Sequence, residues 1–205
     1  MRKVTIYTDG CCKGNPGSGG WAAVILCGSI KKEISGFKES TTNNEMELTA
    51  VIQAISCVKV DADITIYSDS QYVVNGANSW IFSWVKNGFV KADGSELKNR
   101  NLWLRYWYLR KPHKIKFVWV KGHSNNQYNN RCDELANLAV SGNAKKVKQN
   151  KTKRQNNKKA AIPKFVPNVV NEIEKEVESS SRLTKQQKKS IKTGLLELIK
   201  VIDSL

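Results

Sequence analysis

Two stretches of similar design decide how this chain folds: Lys3-Val4-Thr5-Ile6-Tyr7-Thr8-Asp9-Gly10 and Asp63-Ile64-Thr65-Ile66-Tyr67-Ser68-Asp69. Each reads as a strand that runs into an aspartate, because apolar and polar side chains alternate and β-branched and aromatic residues dominate. If the two strands are neighbours, Asp9 and Asp69 meet at one edge of a sheet. Around them, Gly14-Asn15-Pro16-Gly17-Ser18-Gly19-Gly20 is a turn-rich loop. Residues 21–26 and 31–37 form a hairpin joined by Gly28-Ser29. Thr42 or Asn43 caps a helix whose apolar positions Leu48, Val51, Ile55 and Val58 follow helical spacing. Further helices are predicted around residues 71–75, 80–86 and 102–109, a last strand over 114–120 and a last helix over 130–140. Three antiparallel strands, a helix and then strand–helix alternation place the chain in the α/β class, as a mixed sheet flanked by helices.

A length of 205 residues favours one ordinary domain with an appendage. Composition shifts at Ser141-Gly142-Asn143: every tryptophan and tyrosine precedes it, and Phe165 is the one aromatic after it. Residues 1–143 carry 18 Lys/Arg against 12 Asp/Glu, whereas residues 144–205 carry 16 against 6. The expected division is therefore a folded domain over 1–142, a basic disordered linker over 143–167 and a short helical extension over 168–205. Lys145 to Lys159 holds eight basic residues and no acid, which is the composition of a disordered segment. Residues 169–178 and 186–202 read as two amphipathic helices, the second with Ile191, Leu195, Leu198 and Ile202 on one face. They are too short to hold much core alone.

The net charge of +16 argues for a polyanionic partner, either nucleic acid or an anionic surface. Five cysteines in no C-x-x-C pair, with two histidines, argue against a zinc site or a disulfide framework and for reduced thiols in the cytoplasm. No signal-peptide run and no apolar stretch of spanning length is present, so no membrane partner is expected.

Four acids stand where chemistry would want them. Asp9 and Asp69 end strands, Glu47 is expected in the first turn of its helix, and Asp133 near the start of the last one. Each alone reads equally as a turn former, a cap or a first-turn acid. Gathered together they would repel one another, and a hard divalent cation such as Mg²⁺ or Mn²⁺ would relieve that repulsion.

What gathers them is a resemblance. Thr8-Asp9-Gly10, Gly14-Asn15-Pro16-Gly17, Thr41 to Leu48, Ser68 to Val73, Trp119-Val120-Lys121-Gly122-His123 and Asn130 to Ala136 closely resemble the blocks of type 1 ribonuclease H, in order and spacing, across residues 1 to about 142. The resemblance implies the ribonuclease H-like fold, a five-stranded mixed sheet flanked by helices. It also implies endonucleolytic hydrolysis of the RNA strand of RNA–DNA hybrids, leaving 5′-phosphate and 3′-hydroxyl ends. Asp9, Glu47, Asp69 and Asp133 would be the metal-binding carboxylates for two Mg²⁺ ions, with Mn²⁺ as the alternative and Asp9 bridging. One ion would activate a water and the other stabilise the leaving oxygen. His123 would assist the water or product release.

Cys12, Asn15, Asn43, Asn44 and Gln71 match positions that contact the hybrid's minor groove, where amides that both donate and accept suit 2′-hydroxyls without reading sequence. Thr42 and Asn43 match positions that hold a DNA-strand phosphate. Trp80, Trp84, Lys86 and Phe89 fall where the family carries a basic protrusion against the DNA backbone. An aromatic pair at this helical spacing, Trp80 and Trp84, is more often core. The working unit is expected to be a monomer, with the basic extension adding either nucleic-acid affinity or a protein contact. A binding protein without catalysis, or another nuclease class on the same fold, is the competing reading. Against it stand the complete carboxylate set and the Lys121-Gly122-His123 loop.

Overall fold

The computed structural model describes residues 1–91 and 93–150, and residues 178, 179, 181, 184–186, 188, 189 and 191–193. They belong to two units, Met1–Ile81 with Leu102–Arg154 and Phe82–Asn101 with Gln155–Leu205. The first unit is built on five strands: β1 (Arg2–Lys13), β2 (Gly17–Cys27), β3 (Ile30–Thr41), β4 (Ala62–Ser68) and β5 (Lys114–Trp119). Their order is β3-β2-β1-β4-β5. The β1–β2 and β2–β3 pairs are antiparallel, and the β1–β4 and β4–β5 pairs are parallel. This is the mixed sheet expected from the sequence.

Strand parity separates the helices that cover it. Neighbouring residues of a strand point to opposite faces. A Cβ at Gly19 would meet Met46 of α1 (Asn43–Ser56), whereas one at Gly20 would meet Ala136 of α5 (Gln127–Asn150). The two helices therefore lie on opposite faces of the sheet. On the α1 side are Val4, Ile6, Ile64 and Ile66, and α1 supplies Leu48, Val51, Ile52 and Ile55, all fully or nearly fully buried. On the α5 side, Ala22 and Val24 pack with Cys132 and Ala136, and Tyr7, Cys11, Leu26, Tyr128 and Leu135 close around them. Arg131 of α5 grips Glu33 of β3 through Nε and Nη2 at 2.9–3.3 Å. Hydrogen bonds from Arg131 and then Lys31 hold the Glu33 carboxyl down at about 2.

Several boundaries differ from the sequence reading, each for a local reason. The first strand does not end at Asp9: it stays paired with β2 as far as Lys13↔Ser18. Gly17 to Gly20 form the start of β2 rather than a loop, since backbone and helix atoms crowd in where their side chains would stand. Thr42, not Asn43, caps α1, its hydroxyl accepting from the Glu45 N–H at 3.4 Å. Asn126 caps α5 by accepting from the Tyr128 and Asn129 amides, both at 3.2 Å. Consequently Glu47 and Asp133 lie beyond the first turns of their helices, and a helix-end charge effect does not account for Asp133. A π-helical turn, Gly76–Trp80, follows α2 (Gln71–Asn75), and α3 spans Ile81–Lys86. At the far end α5 passes the expected boundary at 142 and continues to Asn150, since Gly142 weakens a helix without breaking it. Residues 143–150, expected to begin a linker, are therefore helical; residues 151–167 lie outside the described ones.

In the second unit, Gly88 and Phe89 turn the chain through left-handed backbone with φ of 68° and 59°. The Phe89 N–H donates to the Trp84 carbonyl at 2.7 Å, and Val90 bridges to Glu96 before α4 (Arg100–Leu109) begins. Buried Arg100 donates through Nε to the Phe89 carbonyl at 3.2 Å. Of the two helices expected over 169–178 and 186–202, the described residues Glu178, Gln186, Lys188, Lys189 and 191–193 are helical, and Ile191 is buried. Leu195, Leu198 and Ile202 lie outside the described residues. No helix among the described residues is long and apolar enough to cross a membrane.

Two glycine substitutions should separate the close approach from simple propensity. A Cβ at Gly20 would stand 2.2 Å from the Ala136 carbonyl oxygen, and one at Gly142 in open space. Gly20→Ala should lower stability to urea by roughly 1–3 kcal/mol or more, whereas Gly142→Ala should raise it by roughly 0.5–1 kcal/mol. Equal effects would contradict the packing of α5 on the sheet.

Candidate active site

The site forms where the sheet opens. β1 and β4 pair only as far as Tyr7↔Tyr67, and β1 then continues with β2 alone. Asp9 stands just past this divergence, paired with Ala22, and Asp69 follows directly after β4. Such a gap beyond the carboxyl ends of parallel strands is where open α/β sheets place ligands. Parity puts Asp9 on the α5 side with Tyr7, whose ring stacks on Tyr67 at 4.9 Å.

Glu47 approaches from the other side, on α1. It can do so because Gly10 has no side chain: a Cβ there would lie 2.3 Å from the Glu47 nitrogen and 2.8 Å from its Cα. The result is one carboxylate oxygen from each of Asp9, Glu47 and Asp69, all within 4.8 Å of one another. Asp9 and Glu47 are buried. Burial, then the charges of Asp69 and Asp133, pushes the Asp9 carboxyl up to about 8. Burial, then Asp9 and Asp69, holds Glu47 well above the carboxylate range. The Gly10 amide, which donates to Asp9 Oδ1 at 2.8 Å, offsets a small part of this. Glu47 Oε2 is buried with no hydrogen-bond partner. A buried, unpartnered carboxylate oxygen among like charges fits a hard divalent cation, which prefers oxygen ligands and would supply the missing partner.

Asp133 and His123 complete the set from its rim. Asp133 stands outside the close triad, with its side chain 35% exposed, and its charge adds to the upward push on the Asp9 carboxyl. His123 Nδ1 is 4.0 Å from Asp133 Oδ2, on a side chain that is 84% exposed. The loop that carries it runs close to Asp69: a Cβ at Gly122 would stand 2.6 Å from Asp69 Oδ2.

Two residues that sequence reasoning missed orient these carboxylates. Buried Asn129 donates through Nδ2 to Asp69 Oδ2 at 3.1 Å, and Asn137 donates through Nδ2 to Asp133 Oδ1 at 2.8 Å. The available signal was spacing, since Asn129 and Asn137 lie four residues either side of Asp133 and share its helix face.

The expected substrate-contacting residues divide into groups. The Asn43 amide donates to Asn15 Oδ1 at 3.4 Å, and the Cys12 thiol lies 3.3 Å from the Thr41 carbonyl oxygen. Cys12, Asn15, Thr42 and Asn43 are thereby gathered around the N-terminal end of α1, where Asn44 is also exposed. Gln71 is exposed at the first position of α2. Trp80 is 41% exposed, with its ring tilted against Tyr72 at 6.3 Å. In the second unit, Lys86 is exposed and Trp84 half-buried. Phe89 is buried, which corrects its reading as a contact residue: its ring serves packing around the left-handed turn. His113 is structural, its Nδ1 accepting from the Ala62 N–H at 3.3 Å.

The RNase H family model matches residues 1–141. A ribonuclease H of Acetivibrio thermocellus is 50% identical over 147 residues, covering 71% of this chain and 100% of that one. A ribonuclease H of Francisella philomiragia is 50% identical over 137 residues, covering 67% and 90%. Among solved structures, LC9-RNase H1, described as a type 1 RNase H with the type 2 active-site motif, has a TM-score of 0.63 at 27% identity, over 69% of this chain and 74% of that one. LC11-RNase H1, solved in complex with an RNA/DNA hybrid, has a TM-score of 0.55 at 26% identity, over 69% and 99%.

The buried acids make the metal-free protein sensitive to pH. A carboxyl whose folded pKa is raised contributes stability below its unfolded value, and that contribution is lost as pH rises through the folded value. For Asp9 the window runs from 3.8 to about 8. In EDTA, urea stability should fall across this window, and Asp9→Asn should gain roughly 1–3 kcal/mol at its upper end. Parallel pH profiles for the two proteins would contradict the mutual repulsion.

Proposed function

The chain belongs to the ribonuclease H family, and on that premise we propose that its four carboxylates and His123 cut the RNA strand of RNA–DNA hybrids by metal-assisted hydrolysis. It is a ribonuclease H of type 1, and the reaction is endonucleolytic. The observation that carries the finer reading is the close cluster of Asp9, Glu47 and Asp69, the first two buried, with a Glu47 oxygen that lacks a partner.

Asp9, Glu47, Asp69 and Asp133 would hold Mg²⁺, two ions in the substrate complex, with Mn²⁺ as an alternative. When bound, the ions supply an activated water and neutralise charge at the scissile phosphate. The protein residues set up the rest. Gly10 lets Glu47 reach the cluster, Asn129 fixes the Asp69 carboxylate, and burial keeps bulk water from competing for the acids. His123, exposed beside Asp133, is placed to carry a proton between the site and solvent. Cleavage of the P–O3′ bond would leave a 5′-phosphate and a 3′-hydroxyl.

Recognition would use the rim. Asn15, Asn43, Asn44, Gln71 and the Cys12 thiol offer neutral donors and acceptors suited to a minor groove and its 2′-hydroxyls. The N-terminal end of α1, capped by Thr42, suits a DNA-strand phosphate. Trp80, Trp84 and Lys86 would meet the DNA backbone. All four acids come from a single chain, which supports a monomer as the working unit. Residues 145–159, with eight basic residues and no acid, would add affinity that does not depend on sequence.

Two measurements test this. With Mg²⁺, an end-labelled hybrid should be cut in its RNA strand only, while double-stranded RNA and DNA stay intact. Asp9→Asn should lower the rate by at least about a thousandfold, about 4 kcal/mol. Tight hybrid binding without cutting in Mg²⁺ or Mn²⁺ would leave a binding protein instead. For the tail, replacing Lys151, Lys153, Arg154, Lys158 and Lys159 with Gln in the full chain should raise KM severalfold. It should also flatten the salt dependence by roughly one unit of log–log slope for every phosphate that the variant no longer neutralises. An unchanged slope would remove the tail from substrate binding.

A further inference from the structure

We propose that Asn137 is a positioning residue for the reaction: its side-chain amide fixes the orientation of Asp133 toward the metal cluster without neutralising its charge. This rests on the reading that the four carboxylates hold divalent cations. Asp133 is the carboxylate that most needs such help. It lies outside the close triad of Asp9, Glu47 and Asp69, and its side chain is 35% exposed. A half-exposed aspartate on a helix surface has several staggered rotamers open to it, and some point into solvent.

Asn137 narrows that choice. It stands one helical turn beyond Asp133, on the same face, and side chains on a helix lean back toward the N-terminus. Its Nδ2 donates to Asp133 Oδ1 at 2.8 Å and to the Asp133 carbonyl at 3.0 Å. The second bond anchors the amide to the backbone, so the first holds the carboxylate in a defined direction. The two oxygens then have separate duties. Oδ1 receives the amide, and Oδ2 faces His123 Nδ1 at 4.0 Å.

The chemistry of the donor matters. A lysine or arginine at this position would orient Asp133 equally well, but its charge would compete with the cation that the acid is there to attract. A neutral amide orients and leaves the full negative charge available. Asp69 is treated in the same way by Asn129, from the same face of α5. One helix therefore carries an acid flanked at four-residue spacing by two amides, each directed at a different carboxylate.

The test uses the full chain carrying Asn137→Ala or Asn137→Gln. Alanine is the better helix former, so the variant should fold, and its melting temperature in EDTA should not fall. Mn²⁺ affinity, measured by titration calorimetry without nucleic acid, should weaken about tenfold in the Ala variant, the low end for groups that orient metal ligands. The Mg²⁺ concentration for half-maximal cleavage should rise by a similar factor, with KM for the hybrid within about twofold of wild type. The Gln variant, which keeps the amide, should recover most of the loss. Wild-type Mn²⁺ affinity and Mg²⁺ dependence in the Ala variant would overturn the assignment, as would a Gln variant as impaired as Ala. A wild-type chain that neither binds Mn²⁺ nor cuts would instead overturn the metal-binding reading beneath it.

Discussion

Charge repulsion among acids shielded from water governs the design of this protein. Asp9 and Glu47 are buried beside Asp69, and burial and proximity both drive the Asp9 and Glu47 carboxyls toward the neutral form. Folding alone would discard such a cluster, since apolar side chains in its place would cost less. It persists because the scaffold around it is stiff enough to bear the repulsion. Parallel pairing fixes β1 against β4, α1 packs onto one face of the sheet and α5 onto the other. The acids are thus held in readiness for positive charge that the polypeptide does not itself provide.

The fold is legible in the sequence because its strands alternate cleanly and its helices keep their apolar spacing. All five strands, α1 and α2 follow from periodicity and capping chemistry. Several of the errors fall on glycines. Gly17, Gly19 and Gly20 read as turn formers, yet they lie within a strand where backbone and helix come too close for a side chain. Local sequence does not distinguish a glycine that bends the chain from one that makes room for a neighbour. The end of α5 is misplaced for another reason: the shift in composition at 141–143 reads as a boundary, but a helix passes one glycine, Gly142, at modest cost.

The site is legible in a different sense. No periodicity joins Asp9, Glu47, Asp69 and Asp133, which are far apart in the chain. Their grouping comes from resemblance, and the geometry then supplies the physical reason, including the gap at Gly10 that admits Glu47. Asn129 and Asn137 escape a sequence reading because asparagines on a polar helix face look ordinary until their targets are known. Phe89 is misread because an aromatic among lysines looks like a contact residue, whereas its burial at a left-handed turn marks it as packing.

The uninterrupted course of α5 acts as a ruler. From Asp133 to Asn150 it advances 17 residues, or roughly 25 Å at the helical rise. A duplex lying along that direction would advance about seven base pairs over the same length at 3.4 Å each. A flexible joint at residue 142 would have let the basic segment sweep freely around the cutting site. The helix instead carries Lys145, Lys146 and Lys148 itself, the first of them 12 residues, or roughly 18 Å along the helical rise, beyond Asp133. The length of one helix therefore sets how far along its axis these charges stand from Asp133.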